Sequence, residues 1–136
     1  MRMTTDDGGG DRSVTILRLA GDLDASTFEA VIERGRELYA AGVRRLLVDM
    51  SEVDFMGSSG LVAMHSLALI LQGEQPPDPE HGWGAFHHLQ TDVEGGGQPH
   101  LKIVGAHGSV LRALQRTGMT EFITVHADEQ AALDSF

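Results

Sequence analysis

The period of the hydrophobic positions changes along the chain. Ser13–Ala20 reads Ser-Val-Thr-Ile-Leu-Arg-Leu-Ala, where Val14, Ile16, Leu17 and Leu19 suit a β-strand and Arg18 takes the wetter side. After the loop Gly21-Asp22-Leu23-Asp24 the period lengthens. Phe28, Val31, Ile32, Gly35, Leu38 and Tyr39 recur at three and four, with Glu29, Glu33, Arg36 and Glu37 outside the stripe. This spacing predicts a helix from near Ala25 to Gly42, with Ser26 and Glu29 at capping-box spacing and Asp24 as the alternative cap. Leu46–Met50 is nearly all apolar, as a central strand buried on both faces would be. Ser58-Ser59-Gly60 then opens Leu61–Leu71, which is apolar almost all round and predicts a buried helix. A strand through Leu101, Ile103 and Val104 follows, then a helix over Ser109–Thr117 with Val110, Leu111 and Leu114 inward and Gly118 at its end. Glu121–Val125 reads as a last short strand, and Asp128 as the cap of a terminal helix carrying Ala131, Ala132 and Leu133.

Strands alternating with helices place the chain in the α/β class, with a mixed or parallel sheet and packed helices. Its 136 residues fit a single domain spanning 1–136. Two segments depart from the pattern. Residues 1–11 are polar; Met1–Asp7 reads as an edge strand or as a fraying tail, with Gly8–Asp11 as a turn. Residues 73–99 hold all four prolines and six glycines, and form a long insert after the second helix. Trp83 and Phe86 within it suit a flap folded over a hydrophobic edge, a disordered segment, or an aromatic anchor for a partner.

Charge narrows the partners. Twenty acidic against ten basic residues give −10, a surface that repels nucleic-acid phosphates and anionic membranes. The absence of cysteine removes disulfides, thiol catalysis and Cys-zinc sites. The first 30 residues show no basic head followed by an apolar core, so a cytoplasmic address is expected. His81, His87 and His88 lie in the glycine-flanked insert without the spacing of a metal site, and neither metal nor cofactor is expected.

In such sheets, sites form beyond the carboxyl ends of the strands, here the loops 21–26, 51–60 and 105–109. The strongest candidate is Ser58-Ser59, where a helix begins. Its first turn leaves N–H groups unpaired beside about half a positive charge, and a phosphate on either hydroxyl would be held there. The plainer reading makes Ser58 or Ser59 the cap of the helix.

The stretch Leu-Leu-Val-Asp-Met-Ser-Glu-Val-Asp-Phe-Met-Gly-Ser-Ser-Gly-Leu, residues 46–61, resembles the STAS domain of bacterial anti-sigma factor antagonists. Gly21-Asp22-Leu23-Asp24 is similar to that family's Gly-x-Leu-Asp, and Gly105, Val110, Leu114 and Gly118 follow its later Gly-x4-Val-x3-Leu-x3-Gly pattern. The likeness covers residues 12–72 and 95–136. It implies a STAS-like mixed β-sheet packed with about four α-helices. It also implies a binding switch rather than an enzyme. The unphosphorylated protein would bind an anti-sigma factor of serine-kinase type and free a sigma factor. The kinase would phosphorylate Ser58, or failing that Ser59, and a serine phosphatase would reverse this. The implied partner surface comprises Asp22, Asp24, Ser26, Met56, Gly57, Ser58, Ser59, Gly60 and Leu61. The sequence departs from the family at Gly57, where an Asp is usual. A glycine cannot orient the hydroxyl, and it permits backbone angles that Asp tolerates poorly.

Two other readings stand beside the switch. One is a STAS scaffold or ligand-sensing module that carries no phosphate. The other is a phosphatase of the haloacid-dehalogenase type, since Asp22-Leu23-Asp24-Ala25-Ser26 is similar to Asp-x-Asp-x-Thr with Asp22 as nucleophile. That match lacks a suitable lysine and a downstream acidic pair, and Gly21 separates it from the strand end.

Overall fold

A computed structural model of the chain describes residues 1–8, 13–73 and 100–136. The turn expected at 8–11 and nearly all of the 73–99 insert, with Trp83, Phe86 and its histidines, lie outside the described residues. The described chain forms a five-stranded mixed sheet in the order β1-β2-β3-β4-β5. The strands are β1 (Arg2–Asp7), β2 (Val14–Ala20), β3 (Arg45–Glu52), β4 (Leu101–Val104) and β5 (Thr124–His126). The helices are α1 (Phe28–Ala40), α2 (Ser58–Leu71), α3 (Gly108–Arg116), α4 (Met119–Phe122) and α5 (Glu129–Asp134).

β2 to β5 run parallel, so their carboxyl ends share one end of the sheet. β1 pairs antiparallel with β2, Arg2 opposite Ala20, which brings the first residues of β1 to that same end. Met1–Asp7 is thus an edge strand. The apolar run of β3 is explained by its central place: Leu46, Leu47 and Val48 are fully buried, and helices cover both faces. Leu17, Leu19, Leu46, Val48, Met50, Leu101 and Ile103 pack with α1, α2 and α3 in the main core. Val14, Ile16, Leu47 and Val104 pack with Ala132, Leu133 and Phe136 on the other face.

Every residue of α2 from Gly60 to Leu71 is buried, which accounts for the loss of a polar stripe in its sequence. His65 packs within this helix, its ring 5.8 Å from that of Phe122. A Cβ on Gly35 would collide with Leu67 Cδ2, so the glycine sets how closely α1 approaches α2. Gly42 closes α1 as expected: its N–H donates to the Tyr39 carbonyl and that of Val43 to Leu38, both at 3.0 Å. Asp128 caps α5, accepting from Ala131 N–H at 3.0 Å.

Three expectations need correction. α1 begins at Phe28, not near Ala25, because Asp24–Thr27 closes a turn of its own. The strand expected at Glu121–Val125 starts only at Thr124; Met119–Phe122 is a helical turn that buries Met119 and Phe122, so the helices number five among the described residues. Leu111 is only partly buried, because Val110 and Leu114 face the core with Ala113 packed beside them.

Arg18 ties three elements to β2. Its guanidinium donates at 2.7 Å to Asp6 of β1, to Asp49 of β3 and to Glu129 of α5. Burial pushes the Asp49 carboxyl up, but the Ser51 N–H at 2.9 Å, the Ser51 hydroxyl and Arg18 outweigh it, and its pKa lies below the usual value. The stability this lends is complete above the unfolded carboxyl value near ~3.9 and is lost as pH falls through the depressed folded one. Arg18→Met leaves Asp49, 14% exposed, without its cation. Since Arg18 itself is 35% exposed, solvent screens part of the effect, and a loss of about 1–2 kcal/mol at pH 7 is expected. Urea unfolding over a pH series from 7 downward checks this: the variant's deficit should shrink as pH falls below the unfolded carboxyl value and through the depressed folded one.

Candidate functional site

The three loops expected to form a site are bolted together at the carboxyl end of the sheet. Leu23 pairs with Met56 as an isolated parallel bridge. Its N–H donates to the Phe55 carbonyl, and its carbonyl accepts from Gly57 N–H, both at 2.9 Å. Gly21 N–H adds a bond to Glu52 O at 3.1 Å. From the third loop, Ser109 Oγ donates to Asp54 O at 3.2 Å and His107 Nε2 lies 3.1 Å from Ser51 O. Gly105 sits directly against the backbone of Ser51.

The 21–26 loop is shaped by Asp24. Its Oδ1 accepts from Ser26 Oγ at 2.6 Å and Ser26 N–H at 2.9 Å. Ser26 therefore takes part in a side-chain turn and does not form the capping box with Glu29; Thr27 holds the cap position of α1 and makes no side-chain capping bond. Thr27 Oγ1 instead donates to Asp22 O at 2.9 Å and accepts from Asp24 N–H at 3.0 Å. The Ser26 hydroxyl, the Ser26 N–H and Thr27 hold the Asp24 carboxyl below its usual pKa, so the loop stays anionic at neutral pH.

At the start of α2, the cap position belongs to Gly57 and not to either serine. Ser58 is the first helical residue; it is exposed, and its hydroxyl bonds no described residue. Ser59 is partly buried. Gly57 supplies no side chain to the N–H groups of the first turn. Its backbone, φ −86° and ψ −177°, is extended and open to any residue, so the expectation of angles hostile to Asp does not hold. A Cβ there would meet only the Phe55 ring, at 3.7 and 3.9 Å. Gly57→Asp is therefore expected to fold, to cap α2 and to raise stability by about 0.3–1 kcal/mol. A higher urea midpoint with an unchanged slope checks it.

Of the residues expected at the site, Asp22, Asp24, Ser26, Gly57, Ser58 and Ser59 reach its surface. Met56, Gly60 and Leu61 do not: Met56 and Leu61 are core residues, and Met56 packs where a Gly60 side chain would stand. These three form the floor of the surface, because the bridge to Leu23 turns Met56 inward. The same bridge turns Phe55 outward, where it is 50% exposed. Strict alternation from Val53 would put Phe55 on the buried side and Met56 outside, so no local pattern marks Phe55 as the exposed residue. Among the described residues, no group of three His, Asp or Glu side chains is placed to hold a metal ion, and no helix is long and apolar enough to cross a membrane.

The family model described as Mlab, STAS domain, matches residues 9–76. An anti-sigma factor antagonist from Mycobacterium paratuberculosis has a similar structure, with a TM-score of 0.66 at 17% identity over 98% of this chain and 92% of that one. So has the anti-sigma factor antagonist SpoIIAA in its unphosphorylated form, with a TM-score of 0.53 at 16% identity over 98% of this chain and 96% of that one. The phosphorylated form of SpoIIAA, a Bacillus cell fate determinant, gives 0.52 at 16% identity, covering 96% of each chain. No curated protein matches the sequence. At these identities the structural likeness establishes the fold.

Proposed function

Since the chain belongs to the STAS domain family, we propose that it is an anti-sigma factor antagonist whose binding is switched by phosphorylation of Ser58. Its partner is an anti-sigma factor of serine-kinase type, and occupying that partner frees a sigma factor. A serine phosphatase resets the switch. The observation that carries this reading is the Ser58 hydroxyl: exposed, unbonded to any described residue, and fixed on the first turn of a helix buried from Gly60 to Leu71. A residue used as a helix cap would have to give up its hydrogen bond before reacting; Ser58 makes none to any described residue. Structurally similar proteins support the same reading, since they include an antagonist seen both without and with phosphate.

The transfer is simple to balance. The Ser58 oxygen bonds to the γ-phosphorus of ATP, the bridging P–O bond breaks, ADP leaves, and the hydroxyl proton passes to a base on the kinase. Asp22, Asp24 and Ser26 stand on the loop bolted beside this segment and give the kinase a rigid surface to dock on. Incubation with ATP and a purified kinase of this type should add the mass of one phosphate. Ser58→Ala should abolish the gain, and Ser59→Ala should keep it.

One observation favours a second reading. Gly57 stands where the family's motif carries a carboxylate, and a scaffold that never takes phosphate would not need one. No mass gain, with partner binding intact, would establish that reading instead.

A further inference from the structure

We infer that Phe55 is the anchor by which this surface selects its partner, and that it enters an apolar pocket ringed by Arg and Lys side chains; the inference rests on the antagonist reading above. Only two large hydrophobic side chains among the described residues are exposed, Phe55 at 50% and Met1 at 38%. Both lie at the carboxyl end of the sheet, since Met1 packs against Gly21 and Phe55 precedes Gly57. Phe55 is held outward by its backbone. Its carbonyl is fixed by Leu23 N–H on one side of Met56, and Gly57 N–H is fixed by Leu23 O on the other. It has no freedom to fold in without breaking that bridge. Its ring lies alongside Gly57, where a Cβ would sit 3.7 Å from Cε1, so a body that covers Ser58 covers the ring as well. An aromatic held rigidly in the open loses little entropy on docking, which is the property of an interface hot spot.

The charges around it define the partner. Asp22, Asp24 and Asp54 belong to the two loops flanking the ring, and Glu52 ends β3 at the start of the second. Among the described residues Arg2 reaches Glu52 at 3.6 Å from an exposed position and the Met1 ammonium acts on Asp24, so the four carboxylates outnumber the cations beside them. Asp24 stays ionised through its bonds to Ser26. An apolar point inside an anionic rim is matched by an apolar pocket inside a cationic one, and such a match speeds encounter at low salt.

The experiment measures Kd for the serine-kinase anti-sigma factors encoded in the same genome, each purified and loaded with ADP, against the full chain. For the kinase that binds, Phe55→Ala should weaken binding at least ~30-fold, equivalent to ~2 kcal/mol. Phe55→Leu, which keeps an apolar plug, should stay within about fivefold. Raising NaCl from about 0.05 to 0.5 M should weaken the wild type at least ~10-fold. Because the ring is exposed, the thermal midpoint of Phe55→Ala should match the wild type, so a binding loss cannot be a folding loss. Binding with Phe55→Ala unchanged overturns the anchor, and binding indifferent to salt overturns the basic rim. Concentration-dependent dimers that Phe55→Ala dissolves would assign the ring to a second copy and also overturn it. If no kinase binds at all, the antagonist reading itself has failed.

Discussion

Gly105→Ala is expected to destabilise the fold by about 2–5 kcal/mol, a large share of the ~5–15 kcal/mol that holds a domain of this kind together. Two independent costs meet at this residue. Its φ of +78° is a conformation that charges an L side chain roughly 1–2 kcal/mol. The added Cβ would also lie 2.9 Å from Ser51 Cβ, 3.0 Å from Ser51 N and 3.1 Å from Ser51 Cα. Backbone atoms in the central strand cannot swing aside as a side-chain tip can, and overpacking of this kind costs about 1–3 kcal/mol. Gly118 provides the control. Its φ is +77°, nearly the same, but no atom lies within 4 Å of the added Cβ. Gly118→Ala should lose only about 1–2 kcal/mol. Urea midpoints of the two variants separate the steric part from the conformational part. Equal losses would show that Ser51 yields freely and that the loops are not locked to each other.

The elements most legible in the sequence are those whose pattern is set by burial alone. Leu46–Met50 reads as a central strand because both its faces are covered. Leu61–Leu71 reads as a buried helix because it has no wet side. Gly42 and Asp128 read as helix ends because their hydrogen bonds are local. What was not legible depends on contacts between distant segments. The spacing of Ser26 and Glu29 suits a capping box, but Asp24 captures Ser26 first, since Thr27 and Asp22 have already closed the turn. Ser58 looks like a cap, but the Leu23–Met56 bridge places Gly57 at that position instead. The same bridge buries Met56 and exposes Phe55, reversing which of two adjacent apolar residues faces solvent. The three carboxylates on Arg18 come from β1, β3 and α5, and no local pattern connects them.

Phosphate on Ser58 is expected to weaken the kinase complex by about 100- to 1000-fold. The modification adds roughly −1.5 to −2 charges at pH 7. A kinase that phosphorylates this hydroxyl must bring nucleotide phosphates up to it, so the docked partner faces Ser58 with negative charge even if its rim is basic. A unit charge ~4 Å from a like charge costs ~4 kcal/mol at an effective dielectric near 20, and each ~1.4 kcal/mol is tenfold in affinity. The flanking loop adds to this, since it contributes Asp24, held ionised by Ser26, and Asp22. The α2 N-terminus does not offset the penalty, because its first N–H groups favour the phosphate in the free and bound states alike. Ser58→Glu, with one charge and fewer acceptor oxygens, should fall short of the full effect at roughly 10-fold. Ser58→Ala should bind like the unmodified chain. Calorimetric titration of the ADP-loaded kinase with each form separates these cases, and added salt should narrow the gap between phosphorylated and unmodified protein. A phosphorylated chain that binds within threefold of the unmodified one would remove the switch while leaving the docking surface standing.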